Sequence, residues 1–370
     1  MRRVILAAAG GLIACLFLET GIRGFDRLRG SSTDRMRLLH GSATKVPRLF
    51  CQFRPPPGGT IPSPGGPVAI NSLGMRGREA SREKPPGTFR VLCLGGSTTF
   101  DAFNGAGVHW PGILEEKLRS QFPNRPIEVL NAGVNGWCSA HSLAYLAFDG
   151  IALSPDAVIV YHNVNDLSVN FHGEPEPDYA NKYGLPEWDP RPERHMNGTD
   201  RLLGWSEGYL WVRLKLRHLL SRGRPVEVKP YDPARGLPAA PQFRRNLDSI
   251  CAIARACGIE VYLGLQAQDI ARHFDGTLVT QLGLGNSVIV PSAEKYLEYQ
   301  KRYNEIVRET GARWEADIVD ADRALSEREG IFVDTCHTNA QGSAELAEVF
   351  RAALAPKIAA RFARTASIGR

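Results

Sequence analysis

The chain has 370 residues, of which 43% are apolar and 23% are charged. This composition excludes a mostly disordered chain and a protein with many membrane spans. The formal net charge is +6, but the arginines are spread along the chain without a dense basic run or a nucleic-acid-binding motif. We therefore expect a solvated basic surface and no nucleic-acid partner. The seven cysteines form no C-x-x-C pair and no zinc-like spacing, so they leave the cellular compartment undecided.

The N-terminal end carries an apolar run. After Met1-Arg2-Arg3, residues Val4 to Leu18 are uncharged and nearly all apolar. The run is short for a membrane-spanning helix, which needs about 20 residues, and its length also fits a cleaved signal peptide. Leu12-Ile13-Ala14-Cys15 resembles a lipoprotein cleavage box, but the apolar residues continue past the cysteine. We predict that residues 1–23 form an uncleaved signal anchor or transmembrane segment, and arginines on both sides of the run leave its orientation open.

Residues 24–87 have the composition of a membrane-proximal linker. Two stretches rich in proline and glycine, at 55–59 and 62–67, cannot form a helix or a central strand. Residues 71–77, with the sequence N-S-L-G-M-R-G, are typical of a short ordered arm that docks on the main domain. A flexible tether fits the same composition, and both interpretations stay open.

From residue 88 to residue 362 short apolar strands alternate with amphipathic helices. Five strands are predicted, at Val91–Leu94, Ile127–Leu130, Ala157–Tyr161, Glu260–Leu265 and Ile318–Asp320. The main helices are predicted at Gly112–Phe122, Ser139–Phe148, Phe243–Cys257, Ala293–Thr310 and Ser343–Ala360. The alternation predicts a three-layer α/β/α sandwich around a doubly wound, mostly parallel five-stranded sheet.

An insertion interrupts this rhythm at about residues 167–238. Its first part is rich in proline and acidic residues, and Trp205 to Leu220 is predicted as a helix. The insertion follows the third strand, and loops at that edge of an α/β sheet often carry function. One interpretation of the insertion is therefore a substrate-facing lid, and the other is an insertion with a structural role only.

Several loops carry residues that could catalyse acyl transfer. Ser97 follows the first predicted strand, Gly136 the second and Asn165 the third, while His337 precedes the last helix with Asp334 three residues before it. In a parallel sheet, the loops after the strands emerge at one edge. A serine hydroxyl becomes an effective nucleophile when a histidine removes its proton and a carboxylate orients that histidine. The backbone N–H groups of Ser97 and Gly136 and the side-chain amide of Asn165 could bind the developing oxyanion.

These blocks occur in the order G-G-S-T, N-A-G-V-N-G, N-V-N-D and D-T-C-H. In this order the chain resembles the SGNH (GDSL-type) hydrolase superfamily over roughly residues 88–360, and the resemblance implies a flavodoxin-like fold. The resemblance implies that Ser97 is the nucleophile and that Gly136 and Asn165 complete the oxyanion hole. It also implies that His337 is the base and Asp334 its orienting acid.

Two positions depart from the pattern of that superfamily. Gly96 stands where the aspartate of G-D-S-L would be, and Asn163 stands where a glycine is usual. The N-terminal part adds to the resemblance, because L-E-T-G-I-R after the apolar run and N-S-L-G-M-R-G before the domain resemble the membrane-anchored bacterial branch. This branch implies a single anchor in the bacterial inner membrane, with the catalytic domain on the periplasmic or extracellular side.

The resemblance therefore implies a membrane-anchored serine esterase that cleaves an acyl ester, with O-acetyl groups of cell-envelope glycans or lipids as the expected substrate class. It implies no metal and no organic cofactor. An O-acyltransferase with the same triad is one alternative, although acetylases of the alginate type carry the Asp-His pair upstream of the serine. A catalytically silent binding protein of the same fold is another. A phosphate-binding module at Gly95–Thr98 is the third, but no lysine follows the glycines as in a P-loop.

Overall fold

The computed structural model describes residues 17, 19–21, 23–24, 45–105, 107–172, 174–183, 196–221, 227–275, 287–326 and 328–368. The predicted signal anchor lies outside these residues, except for a few helical positions between residues 17 and 23. Parts of the predicted linker and insertion also lie outside them. Within the described part of the chain, no helix has the length and apolar character needed to cross a bilayer.

The centre of the domain is a five-stranded sheet. Its strands are β1 (Phe89–Gly95), β2 (Ile127–Asn131), β3 (Ala157–Tyr161), β4 (Glu260–Gly264) and β5 (Asp317–Val319). The order across the sheet is β5-β4-β3-β1-β2, and each of its pairings is parallel. Since β1 lies inside the sheet, the chain adds β2 on one side and the later strands on the other. The five predicted strands and the doubly wound topology are confirmed.

Both faces of this sheet are buried, because successive side chains of a strand point to opposite sides. In β1, Leu92 and Leu94 belong to one apolar core, whereas Val91 and Cys93 belong to the other. The helices that supply the first core are Ser139–Tyr145, Ala240–Ala256 and Ala293–Trp314, and those that supply the second are Trp110–Gln121 and Ala340–Ile368. The predicted three-layer sandwich is therefore confirmed.

Further elements lie before and between these helices in the chain. The additional helices are Ser97–Phe100, Val164–Ser168, Ala180–Tyr183, Gly198–Leu203, Glu207–Ser221, Ile270–His273 and Ala321–Leu325. A π-helical turn occurs at Leu146–Gly150, and 3₁₀ turns occur at Ile151–Leu153, Val169–Phe171 and Pro233–Arg235. Two antiparallel pairs precede the sheet, Val46–Arg48 with Gln52–Arg54 and Thr60–Ile61 with Val68–Ala69.

A further strand pair lies outside the central sheet. Glu227–Pro230, in the insertion, pairs in parallel with Ser287–Val290. The sequence predicts only a loop from β4 to about Ser292, and this prediction is wrong. The run S-V-I-V is rich in β-branched residues, but its partner strand is remote in the sequence, so periodicity alone does not reveal the pairing.

The segment 71–77 packs on the domain through Arg76, which is buried. Its guanidinium donates hydrogen bonds to the backbone carbonyls of Phe100, Asp101 and Asn104, at 3.1, 2.6 and 2.9 Å. The backbone of Arg76 also bridges to Asn131 at the end of β2. This segment therefore fixes the loop that directly follows the helix carrying Ser97.

Candidate active site

The carboxyl end of β1 turns sharply into the helix Ser97–Phe100, which begins at the predicted nucleophile. Gly96 stands just before that helix. A Cβ atom at position 96 would lie 2.5 Å from Nδ2 of Asn165 and 2.8 Å from the carbonyl oxygen of Trp137. Real Cβ atoms do not approach other atoms so closely. The departure from G-D-S-L at this position therefore has a physical reason, because this backbone leaves no room for a side chain.

Ser97, His337 and Asp334 form a continuous chain of hydrogen bonds. Nε2 of His337 lies 2.7 Å from Oγ of Ser97, and Nδ1 of His337 lies 2.7 Å from Oδ2 of Asp334. The other oxygen of Asp334 accepts hydrogen bonds from the backbone N–H groups of Cys336 and His337, at 2.9 and 2.8 Å. The D-T-C-H segment thus forms a turn that is closed by hydrogen bonds to the Asp334 carboxylate. This carboxylate orients the imidazole of His337 toward Ser97.

A buried polar network joins the loop after Ser97 to the segment that carries His337. Nδ2 of Asn104 donates to Oδ1 of Asp101, at 2.7 Å, and to the carbonyl oxygen of Thr338, at 3.1 Å. The hydroxyl of Ser343 donates to Oδ2 of Asp101, at 2.7 Å. Because these groups are buried, they lose more by separating than exposed ones would. The network therefore holds the loop after Ser97 and the segment of His337 at a fixed separation.

The loops predicted to bind the oxyanion are tied to each other. Nδ2 of Asn165 donates to the carbonyl oxygen of Trp137, at 2.8 Å. Gly136, the residue before Trp137, has φ +87°, a conformation that favours glycine. The carboxylate of Asp166 accepts from the backbone N–H of Ser139, at 3.0 Å, and so joins the same two loops again. The structure therefore brings Asn165 and the loop of Gly136 together beside Gly96 and Ser97.

Trp137 itself belongs to the apolar core. The sequence leaves open whether this residue lines an acyl pocket or packs inside the domain. Its side chain is fully buried, and its Nε1 donates to the carbonyl oxygen of Phe53, at 2.9 Å. Core packing is therefore the correct interpretation.

Asn163, the second departure from the superfamily pattern, is anchored by its amide. Its Nδ2 donates to Oδ1 of Asn304, at 2.8 Å, on the long helix before β5. Next to it, the backbone N–H of Val164 donates to Oε1 of Gln266, at 2.7 Å, and Nε2 of Gln266 donates to Oγ1 of Thr98, at 2.8 Å. Gln266 thus links the third loop to the residue after Ser97. Sequence reasoning missed Gln266, and its only signal is a polar residue at the carboxyl end of a strand.

Lys182, from the insertion, also reaches this loop. Its side chain is buried, and Nζ donates to the carbonyl oxygen of Asn165, at 3.0 Å, and to the hydroxyl of Ser168. Burial lowers the pKa of Lys182 to about 8, while the nearby Asp166 carboxylate favours its charged form. The insertion therefore stabilises the backbone of Asn165 through Lys182. No sequence pattern indicates this contact, because Lys182 lies in a loop-like stretch without periodicity.

One group of described side chains has the spacing of a metal-ligand set. Asp334, Cys336 and His337 each offer a ligand atom, and these atoms lie within 4.8 Å of one another. However, Nδ1 of His337 and Oδ2 of Asp334 already share a short hydrogen bond. The arrangement can orient and stabilise an imidazolium, which is what a histidine general base requires.

The comparison with known families agrees with this geometry. The sequence model of the GDSL-like lipase/acylhydrolase family matches residues 93–344, which is more than half of the chain. The chain belongs to this family. As a GDSL-like acylhydrolase, it is an enzyme that hydrolyses ester bonds. None of the curated proteins matches it significantly.

The solved structures that are similar to this chain include esterases and a lipase. An acetyl xylan esterase is 15% identical, with 72% of this chain and 99% of that chain covered and a TM-score of 0.41. A GDSL-like lipase from Bacteroides thetaiotaomicron is 13% identical, with 74% and 88% covered and a TM-score of 0.39. A catalytic mutant of an acetylxylan esterase from Geobacillus stearothermophilus is 15% identical, with 72% and 93% covered and a TM-score of 0.41.

The ionisation of His337 in this GDSL-like hydrolase depends on its neighbours. Burial lowers the pKa of His337, but Cys336, when ionised, and the hydrogen-bonded Asp334 carboxylate together raise it above its ordinary value of 6.5. Burial also raises the pKa of the Cys336 thiol, so this group is neutral near pH 7. Asp334 is ionised there, because its hydrogen bonds with His337 outweigh burial and hold its pKa below 3.8. Asp334 is therefore the charge that stabilises protonated His337.

This ionisation predicts a pH dependence of ester hydrolysis. A general base must be neutral to accept a proton, so kcat/KM should rise with pH through a pKa above 6.5. In Asp334→Asn the stabilising charge is lost while the burial remains, and the rising limb should move to lower pH. Profiles of kcat/KM against pH for both proteins measure this shift. A limb that stays in place in Asp334→Asn would contradict the role given to the carboxylate.

Proposed function

We propose that this hydrolase cleaves acyl esters through a Ser97–His337–Asp334 triad. The proposal rests on the unbroken hydrogen-bond chain, with Oγ of Ser97 2.7 Å from Nε2 of His337 and Nδ1 of His337 2.7 Å from Asp334. In the first step, Oγ attacks the ester carbonyl while His337 takes the hydroxyl proton. His337 then returns this proton to the leaving alcohol, and an acyl-enzyme remains. Water, deprotonated by His337, attacks the acyl-enzyme and releases the acid and Ser97.

The oxyanion of each tetrahedral intermediate would be bound by Ser97, Gly136 and Asn165. The backbone N–H of Ser97 lies in the first turn of its helix, where it has no acceptor within that helix. The amide nitrogen of Asn165 lies against position 96, directly before the nucleophile. Its second hydrogen is available in addition to the one donated to Trp137. These donors support an oxyanion site held in place before the substrate arrives.

As the substrate class we propose O-acetyl groups on cell-envelope glycans or lipids. The support comes from the sequence, in which the apolar run Val4–Leu18 precedes the domain and the flanking motifs resemble the anchored bacterial branch. On the same ground we propose a single anchor in the bacterial inner membrane, with the domain on the periplasmic or extracellular side. An O-acyltransferase would use the same triad with a sugar hydroxyl in place of water.

The proposed mechanism is tested with the full chain in detergent. It should hydrolyse p-nitrophenyl acetate, and a fluorophosphonate should modify the peptide that contains Ser97, as identified by mass spectrometry. A folded chain that neither hydrolyses the ester nor reacts with the probe would support the silent binding protein instead. Acetyl-glycan substrates, assayed with and without a free sugar acceptor, separate the two reactions, because transfer that outpaces release of acetate would overturn hydrolysis.

A further inference from the structure

Two helices of the insertion, Gly198–Leu203 and Glu207–Ser221, expose large apolar side chains to solvent. On the longer helix Val212, Leu216 and Leu219 recur at intervals of four and three residues, which places them on one face. The insertion patch, as we name it, consists of side chains that are between 38% and 72% exposed: Leu202, Leu203, Trp205, Trp211, Val212, Leu216 and Leu219. An exposed apolar patch of this kind marks an interaction surface.

Basic residues accompany the insertion patch. Arg201 and Lys215 are exposed, and Nζ of Lys215 lies 5.3 Å from the centre of the Trp211 ring. Between residues 198 and 224 the acidic residues are Glu207 and the buried Asp200, which forms an ion pair with Arg213 at 2.9 Å. The other basic residues of this stretch are Arg201, Lys215, Arg217, Arg222 and Arg224. Tryptophan and leucine mixed with lysine and arginine is the composition of helices that lie in a membrane interface with anionic headgroups.

The insertion patch also lies next to the end of the N-terminal apolar run. The carboxylate of Glu19 accepts hydrogen bonds from the hydroxyl of Ser206, at 2.7 Å, and from the backbone N–H groups of Glu207 and Gly208, both at 3.0 Å. Arg23 donates to the same carboxylate, at 2.8 Å. Through these hydrogen bonds, Glu19 links the end of the apolar run to the first turn of the longer patch helix.

We propose that the insertion patch lies in the interface of a phospholipid bilayer that carries anionic headgroups. The inference rests on the anchoring proposed above. The apolar run ends at Leu18, and Glu19 is the next residue, so an anchored chain leaves the bilayer where the longer patch helix begins. This helix is then held at the membrane surface, where its leucines and tryptophans reach the acyl boundary and its lysine and arginine side chains reach the headgroups.

Tryptophan fluorescence of the full chain tests this placement. The first tryptophan of the sequence is Trp110, so the signal does not report on the apolar run itself. The chain is reconstituted into vesicles of phosphatidylcholine and phosphatidylglycerol, with and without bromine on the phosphatidylcholine acyl chains. Brominated lipid should quench the native protein, and most of this quenching should vanish in the double variant Trp205→Phe/Trp211→Phe. The matched control is Trp314→Phe. Trp314 is not part of the patch, and its Nε1 donates a hydrogen bond to Asp248, at 2.8 Å. This control should keep the quenching by brominated lipid.

A second variant separates membrane contact from folding. Leu216→Glu/Leu219→Glu changes exposed side chains only, so it should hydrolyse p-nitrophenyl acetate like the native enzyme while the quenching of Trp205 and Trp211 is lost. If the native chain sediments with vesicles and its quenching is the same in Trp205→Phe/Trp211→Phe, the patch proposal is wrong and the anchoring stands. If the chain does not sediment with vesicles, both fail. If Trp205 and Trp211 escape quenching and the chain sediments as a dimer in detergent, the patch binds a second copy instead.

Discussion

Replacing Ser97 or His337 with alanine should lower kcat for p-nitrophenyl acetate by roughly 10⁴- to 10⁶-fold, and the double variant should lose no more than either single one. The reason is that the two side chains act as a unit. In the proposed triad, the alkoxide of Ser97 forms only if His337, 2.7 Å away, takes its proton. Once one of the two side chains has been replaced, replacing the other causes no further loss of activity. Values of kcat for the two single variants and the double variant measure this non-additivity.

The matched control for this experiment is His273→Ala. His273 ends the short helix Ile270–His273 and takes no part in the hydrogen-bond chain of Ser97. This variant should keep kcat close to the native value, and the melting temperatures of all variants should show that they are folded. Two single losses that multiply in the double variant would mean that Ser97 and His337 act independently, which contradicts a triad.

The central sheet could be predicted from the sequence because its strands are buried on both faces. Such strands appear as short, nearly continuous apolar runs, as in Val91–Leu94 and Ala157–Tyr161. The predicted ends of the helices were less accurate, because the hydrogen bonds at each helix terminus decide where the helix begins and ends. The helix predicted to end at Thr310 continues to Trp314, where an αL residue, Glu315, follows it. The last helix begins at Ala340, three residues before the predicted start.

The positions of the candidate site residues could also be predicted, since each stands in a loop next to a predicted strand or helix. Their supporting contacts could not. Asn104 and Ser343 are 239 residues apart, and Gln266 and Thr98 are 168 apart, yet each pair shares a hydrogen bond. No periodicity or local spacing connects such partners. The supports of the site therefore become visible only when the fold has placed the loops side by side.

The last large effect concerns the missing aspartate of the G-D-S-L block. Gly96→Asp restores the usual sequence of the family, but its Cβ would lie 2.5 Å from Nδ2 of Asn165 and 2.8 Å from the carbonyl oxygen of Trp137. Asn165 or the loop of Gly136 must then move, and the proposed oxyanion site loses a positioned donor. We expect kcat for p-nitrophenyl acetate to fall by about 10²- to 10³-fold, as when one such donor is removed from a hydrolase.

Gly198→Asp provides the matched control, because a Cβ at that helix start would meet no atom within 4 Å. This control should keep native kcat and stability. In Gly96→Asp, the fluorophosphonate should also react more slowly with Ser97, since its reaction uses the same oxyanion donors. A Gly96→Asp enzyme with native kcat would show that the loop accommodates the aspartate without displacing Asn165. In that case the absence of a side chain at position 96 would not be what keeps the oxyanion donors in place.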